Sequence, residues 1–137
     1  RFEVHTLYAG SRVDHATEDI KRHSAVFLDN LYSNRQRVAA IRGARLDALI
    51  YLDIGMHPHM QLMGALRLAP VQCLAGGHPV TSGLPTMDYF LSSELMEPEG
   101  ADAHYTKTLV KLPNLANCYP RPKVPEIEPP ARSKPVI

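Results

Sequence analysis

The chain contains no tryptophan, only two cysteines and only 7% aromatic residues. Two cysteines cannot build a disulfide-stapled secreted scaffold. Because Cys73 sits in an apolar stretch, it and Cys118 are read as reduced structural thiols, and the expected compartment is the cytoplasm. Long hydrophobic runs are also missing. Ala48 to Leu52 is short, and Leu62 to Leu74 is broken by Arg67 and Gln72, both well below the ~20 residues a membrane helix needs. Charge of one sign is lacking too. Fifteen Lys and Arg stand against fourteen Asp and Glu, a formal net charge of +1, so nothing in the bulk electrostatics calls for nucleic acid, an anionic membrane or a strongly acidic substrate. With neither an initiator methionine nor a charged-then-apolar leader at Arg1, the chain reads as the middle of a longer protein.

What is present suits one folded domain. At 137 residues, 45% hydrophobic and 21% charged, the chain has enough apolar surface for a core. It is too short for a two-lobed enzyme or for a (β/α)₈ barrel of roughly 250 residues. The stretch from Phe2 to Tyr8, rich in β-branched and aromatic residues and closed by Ala9-Gly10-Ser11, predicts a first strand. A helix or loop over Arg12 to His23 leads to a second at Ala25 to Leu28. Ser33 is placed to cap a helix over Asn34 to Ala44, with Val38, Ile41 and Ala44 at helical spacing. The basic residues Arg35, Arg37, Arg42 and Arg45 on that helix read as a solvated face. The nearly unbroken apolar run Asp47 to Leu52 predicts a central strand buried on both sides, as in parallel sheets covered by helices.

Beyond it, a helix starting near Pro58 or His59 is expected to put Leu62, Met63 and Leu66 on one face before Pro70 stops it. Val71 to Leu74, Asp88 to Leu91 and Thr108 to Leu112 read as further strands, with a helix-like Pro98 to Lys107 between the last two. Strands alternating with helices argue for an α/β fold with a mostly parallel, Rossmann-like sheet over residues 1–113. Residues 114–137, dense in proline from Tyr119 onward, read as a linker or tail.

In an open parallel sheet, ligands bind beyond the carboxyl ends of the strands. Two turns stand there. After the Asp47 to Leu52 strand comes Gly55-Met56-His57-Pro58-His59, a glycine that permits close backbone approach beside two imidazoles at a helix start. After Val71 to Leu74 comes Gly76-Gly77-His78-Pro79-Val80-Thr81-Ser82-Gly83, with loose backbone amides, two hydroxyls and another imidazole, a set suited to sugars or phosphates. Both turns also have a bland reading, since glycine-rich loops are often plain turns and a histidine at a helix start is often a cap. His57-x-His59, joined by His78 or Asp88, is also a metal-ligand pattern. A metal-dependent hydrolase through His57, His59 and Asp88 is therefore one alternative, and a non-enzymatic α/β interaction module is another. No motif surrounds His5, His15, His23 or His104, which read as surface or structural residues.

Taken in order, Leu66-Arg67-Leu68-Ala69-Pro70-Val71-Gln72, then Gly77-His78-Pro79-Val80-Thr81-Ser82-Gly83, then Asp88-Tyr89, resemble the catalytic region of the O-GlcNAc transferase and SPINDLY superfamily. Asp53-Ile54-Gly55-Met56-His57 is similar to that family's Asn-Gly-His or Ile-Gly-Met turn, and the likeness runs through about Pro113. Gly77-His78-Pro79-Val80-Thr81 departs from the Gly-Tyr-Pro-Gly-Thr of the eukaryotic O-GlcNAc enzymes and is closer to bacterial cytoplasmic N-glucosyltransferases that modify adhesins.

The resemblance implies part of the N-terminal, acceptor-side lobe of a GT-B enzyme. It also implies inverting transfer of a sugar, UDP-GlcNAc or UDP-glucose as donor, onto protein side chains. His57 takes the place of the family's cleft histidine, a candidate general base or sugar contact, with His59 as the second candidate. Gly55, Pro58, Gly77, His78, Pro79, Thr81 and Ser82 are the implied substrate-binding residues. No metal or other cofactor is implied. The expected partners are a protein acceptor, a C-terminal donor-binding lobe and a tetratricopeptide-repeat region of the parent chain, and the fragment alone is expected to be inactive.

Overall fold

The computed structural model describes residues 2–76, 78 and 81–116. Along the chain run β1 (His5–Leu7), α1 (His15–His23), β2 (Val26–Leu28), α2 (Asn34–Ala44), β3 (Ala48–Tyr51), α3 (Pro58–Gly64), β4 (Val71–Ala75) and β5 (Tyr89–Ser93). A short 3₁₀ turn, Ala101–His104, precedes β6 (Thr108–Leu112). Every strand pairing is parallel. β3, β4, β5 and β6 form one sheet in that order, and β1 with β2 forms a separate two-stranded ladder. The α/β expectation therefore holds.

Local chemistry explains where the helices start. Asp14 accepts a hydrogen bond from the Thr17 amide at 2.9 Å, and Ser33 accepts one from the Gln36 amide at 3.2 Å. In each case the side chain three residues on reaches back to the cap amide, completing a capping box. The helix predicted over Asn34 to Ala44 forms with those bounds. Arg45 ends it in the left-handed conformation at φ 47°.

Five expectations need correction. β3 is not central: among the described residues it pairs only with β4, and Ile50 is 52% exposed. An apolar run signals two faces that call for cover but does not name the neighbours. The inner strands are β4 and β5, which bury Cys73, Leu74, Phe90, Ser92 and Ser93. On α3 the buried positions are Met60, Met63 and Gly64, while Leu62 and Leu66 face solvent. Gly64 favours that phase, because a Cβ there would lie 2.5 Å from Ile54 Cδ1, so glycine lets the helix approach the turn that follows β3 without displacing that side chain. The Pro98 to Lys107 helix reduces to the 3₁₀ turn, introduced by Gly100 at φ 77°. The first strand covers only His5–Leu7 of the predicted Phe2 to Tyr8. Arg37 is buried, not solvated, since it lies four residues before Ile41 on the stripe that α2 turns inward.

The core joins β3, β4, β5 and α3 through Tyr51, Ile54, Met60, Met63, Leu74, Met87 and Phe90, with Leu7 and Ala9 from the β1 end packed against it. Cys73 is buried there as a free thiol, its pKa raised by burial and by the nearby Asp88 carboxylate. Cys118 lies outside the described residues.

Near the start of β4 a polar cluster ties the chain together. Asp88 receives two bonds from Arg67, at 2.5 and 3.0 Å, and one from the Gln72 amide at 2.8 Å. The Arg67 guanidinium and the Gln72 N–H hold its pKa below the ordinary carboxylate range. A carboxylate whose folded pKa lies below its unfolded value of about 3.9 stabilises the fold above that value. This stabilisation is lost as pH falls from there through the lower folded pKa. Denaturant midpoints measured between neutral pH and pH 3 should therefore fall in the acid limb, and Asp88→Asn should flatten that limb while lowering the neutral-pH midpoint.

Candidate functional site

The turns after β3 and β4 are built from the backbone outward. Asp53 O accepts the amides of Met56 and His57, at 3.1 and 3.0 Å, closing a tight turn. Gly55 within that turn has φ 94°, a left-handed conformation natural to glycine. Pro58 then occupies the first position of α3, where its missing N–H costs no hydrogen bond, and it lies exposed at the surface. His57 stands at the cap position without capping through its side chain.

The two turns meet. A Cβ built on Gly55 would lie 3.0 Å from His78 Cγ and 3.2 Å from His78 Cβ, so the imidazole of the second turn lies directly on the backbone of the first. Between them is a cavity of about 10 Å³, room for little more than one water. His78 and Ser82 line it with Tyr51, Ile54, Leu74 and Phe90. Burial pushes the Tyr51 hydroxyl up to about 12, so it stays protonated, and it reaches Met63 O at 3.4 Å.

His57 and His59 lie beside this contact and do not line the cavity. Their rings are 5.4 Å apart and tilted by 44°. His57 is half-buried, and its Nδ1 is enclosed without a hydrogen-bond partner among the described residues. His59 is exposed.

The hydroxyls predicted to bind ligand have protein partners. Ser82 Oγ accepts the Leu84 amide at 3.2 Å. Thr81 Oγ1 faces Thr106 Oγ1 at 3.5 Å and accepts from Lys107 Nζ at 3.3 Å. Lys107 also reaches Thr106 Oγ1 at 3.0 Å, and burial lowers its pKa. Sequence reading passed over Lys107, since no local signal links it to a loop 26 residues earlier. Gly77 and Pro79 lie outside the described residues.

The metal alternative loses its carboxylate. Asp88 sits before β5, bound to Arg67 and the Gln72 amide near the start of β4, whereas His57 and His59 follow the carboxyl end of β3. Among the described residues no three His, Cys, Asp or Glu side chains gather into a metal-binding group.

The Gly55 contact makes a quantitative prediction. Gly55→Ala combines left-handed strain with a Cβ pressed on His78, whereas Gly83→Ala has φ 67° but open space around it. Each change should cost about 1 kcal/mol for backbone strain, and Gly55→Ala more than that. Urea unfolding should rank Gly55→Ala as the more destabilised of the two. Equal losses would mean that His78 yields freely.

No protein-family profile matches the chain. It is 32% identical over 134 residues to a probable UDP-N-acetylglucosamine–peptide N-acetylglucosaminyltransferase, SPINDLY, of Eustoma exaltatum subsp. russellianum, covering 93% of this chain and 15% of that protein. To a UDP-glucose:protein N-β-glucosyltransferase of Actinobacillus pleuropneumoniae it is 28% identical over 92 residues, covering 66% of this chain and 14% of the relative. Among solved structures, a mutant O-GlcNAc transferase of Thermobaculum terrenum superposes with a TM-score of 0.72 at 28% identity, over 80% of this chain and 21% of that one. The chain thus spans about a seventh to a fifth of the proteins it matches. By sequence and by α/β fold it belongs with the O-GlcNAc transferase and SPINDLY glycosyltransferases, of whose GT-B catalytic region it is a homologous part.

Proposed function

We propose that the chain is part of the acceptor-side, N-terminal lobe of an inverting protein glycosyltransferase that works in the cytoplasm with a UDP-sugar, UDP-GlcNAc or UDP-glucose. One observation carries the reading: the turns bearing His57 and His78 converge at the Gly55–His78 contact, beyond the carboxyl ends of β3 and β4, where parallel sheets bind ligands. The likeness to peptide and protein glycosyltransferases of both O- and N-linked kinds supports the reaction class.

In this reaction the acceptor oxygen or nitrogen attacks the anomeric carbon. The bond from that carbon to the diphosphate oxygen breaks, and UDP departs with the electron pair. The acceptor proton passes to a base, and the half-buried His57, in the turn that meets His78, fits that role better than the exposed His59. His78 and the Gly55 backbone form a small wall on which the sugar rests. Thr81 and Ser82 lie in the second turn, and Lys107 braces it through Thr81. The nucleotide falls to a second lobe in the parent polypeptide, and tetratricopeptide repeats there present the acceptor.

The test is made on the full-length protein. Calorimetric titration with UDP-GlcNAc and with UDP-glucose should give saturable binding for one of them. Incubation with acceptor peptides should then add one hexose or N-acetylhexosamine mass, with the anomeric configuration opposite to that of the donor. Silence with both donors and no mass gain would leave the interaction-module reading in its place.

A further inference from the structure

Arg37 is the residue whose place in the fold is least explained by packing. It is only 7% exposed on the inward stripe of α2. Its Nη1 donates to Asn34 Oδ1 at 3.1 Å within the same helix, while Nε is enclosed with no hydrogen-bond partner. Among the described residues no carboxylate makes an ion pair with it. A buried guanidinium edge without an acceptor carries a desolvation cost that no described residue offsets at Nε, and such a group calls for an explanation.

The same side chain lines a cavity of about 340 Å³ beyond the carboxyl ends of β1 and β2. Tyr8, Phe27 and Tyr32 give it aromatic walls, with the Tyr8 and Phe27 rings stacked at 6.1 Å. Lys21 adds a second cation at its edge, and the first turn of α2 beside it carries no acidic residue. Glu18 and Asp29 also contribute to the wall and balance the two cations. Selection of an anion therefore falls to the buried guanidinium, whose low-dielectric setting strengthens any bond it makes. No described residue of the turns after β3 and β4 lines this cavity, so it is separate from the His57 and His78 region.

We propose that this cavity binds a small molecule carrying an oxyanion, a carboxylate or phosphate monoester, on a flat apolar body. The oxyanion would pair with the Arg37 guanidinium where it lines the cavity, a forked geometry that a guanidinium offers and an ammonium does not. The flat body lies against the aromatic walls.

The experiment uses the full-length protein and is read by melting temperature, so it is independent of transferase activity. Benzoate and phenyl phosphate are the probes, acetate and inorganic phosphate test the oxyanion alone, and chloride at matched ionic strength is the reference. One or both aromatic probes should raise the melting temperature in a saturable way. Benzoate without phenyl phosphate would assign a carboxylate, and the reverse a phosphate monoester. Half-saturation should shift at least tenfold upward in Arg37→Met and by less in Arg37→Lys. In chloride alone, Arg37→Met should melt at or above the unsubstituted protein, because it removes an unpaired buried charge.

The absence of a response to both aromatic probes, or an equal response in Arg37→Met, would overturn the proposal. So would a markedly lower melting temperature of Arg37→Met in chloride, which would mean that the guanidinium already has a partner in the complete protein. If Arg37→Met does not fold, the arginine Nε–Hε resonance of Arg37 in the unsubstituted protein decides. It should move on titration with the aromatic probes, and a stationary signal would overturn the assignment.

Discussion

His57→Ala in the full-length protein is expected to lower kcat by about 10²–10⁴-fold, the usual contribution of a positioned general base, with no change in unfolding midpoint. The two halves of this expectation rest on different observations. Stability should hold because the imidazole caps nothing and its Nδ1 bonds to nothing among the described residues, so truncation orphans no partner. Turnover should fall because the proposed base stands in the turn that meets His78. His59→Ala should cost much less, its ring being exposed. Full turnover in His57→Ala would remove this residue from the reaction.

Gln72→Ala is the substitution expected to damage the fold most, by about 3–5 kcal/mol, the range for deleting a buried hydrogen-bonded side chain and leaving its partners unpaired. Gln72 is fully buried, at 0% exposure. Its Oε1 accepts the Leu68 amide at 2.8 Å, and its Nε2 donates to Leu66 O at 3.1 Å and Thr86 O at 2.9 Å. One side chain thus joins the connection after α3, the second residue of β4 and the end of the loop that carries His78. Alanine would strand all three backbone groups and leave a void between them. Gln72→Glu should also fail, since a carboxylate would face the Leu66 and Thr86 carbonyls. Denaturant unfolding of both variants tests this; midpoints within experimental error of the unsubstituted protein would show that water replaces the amide.

The sequence was legible where short-range chemistry decides. Ser33 and Gln36 announce the start of α2, and the six strands appear in their predicted order because each apolar run is bounded by turn residues. The motif at Gly77 to Gly83 singled out the loop whose His78 lies against Gly55. It was less legible where partners come from afar. The Lys107 ammonium that reaches Thr81 comes from 26 residues further along the chain. Leu62 and Met63 are both apolar neighbours on α3, and only the close approach at Gly64 selects which one is buried.

By itself the sequence determined the α/β alternation, the helix caps and the two turns that bear histidine, because periodicity and capping act over a few residues. Tertiary structure alone decided that His78 lies on Gly55 while His57 stands outside their small cavity, that β3 has a single strand neighbour among the described residues, and that Arg37 is buried. These depend on which distant segments come together, and residue types along one stretch of chain carry no record of that.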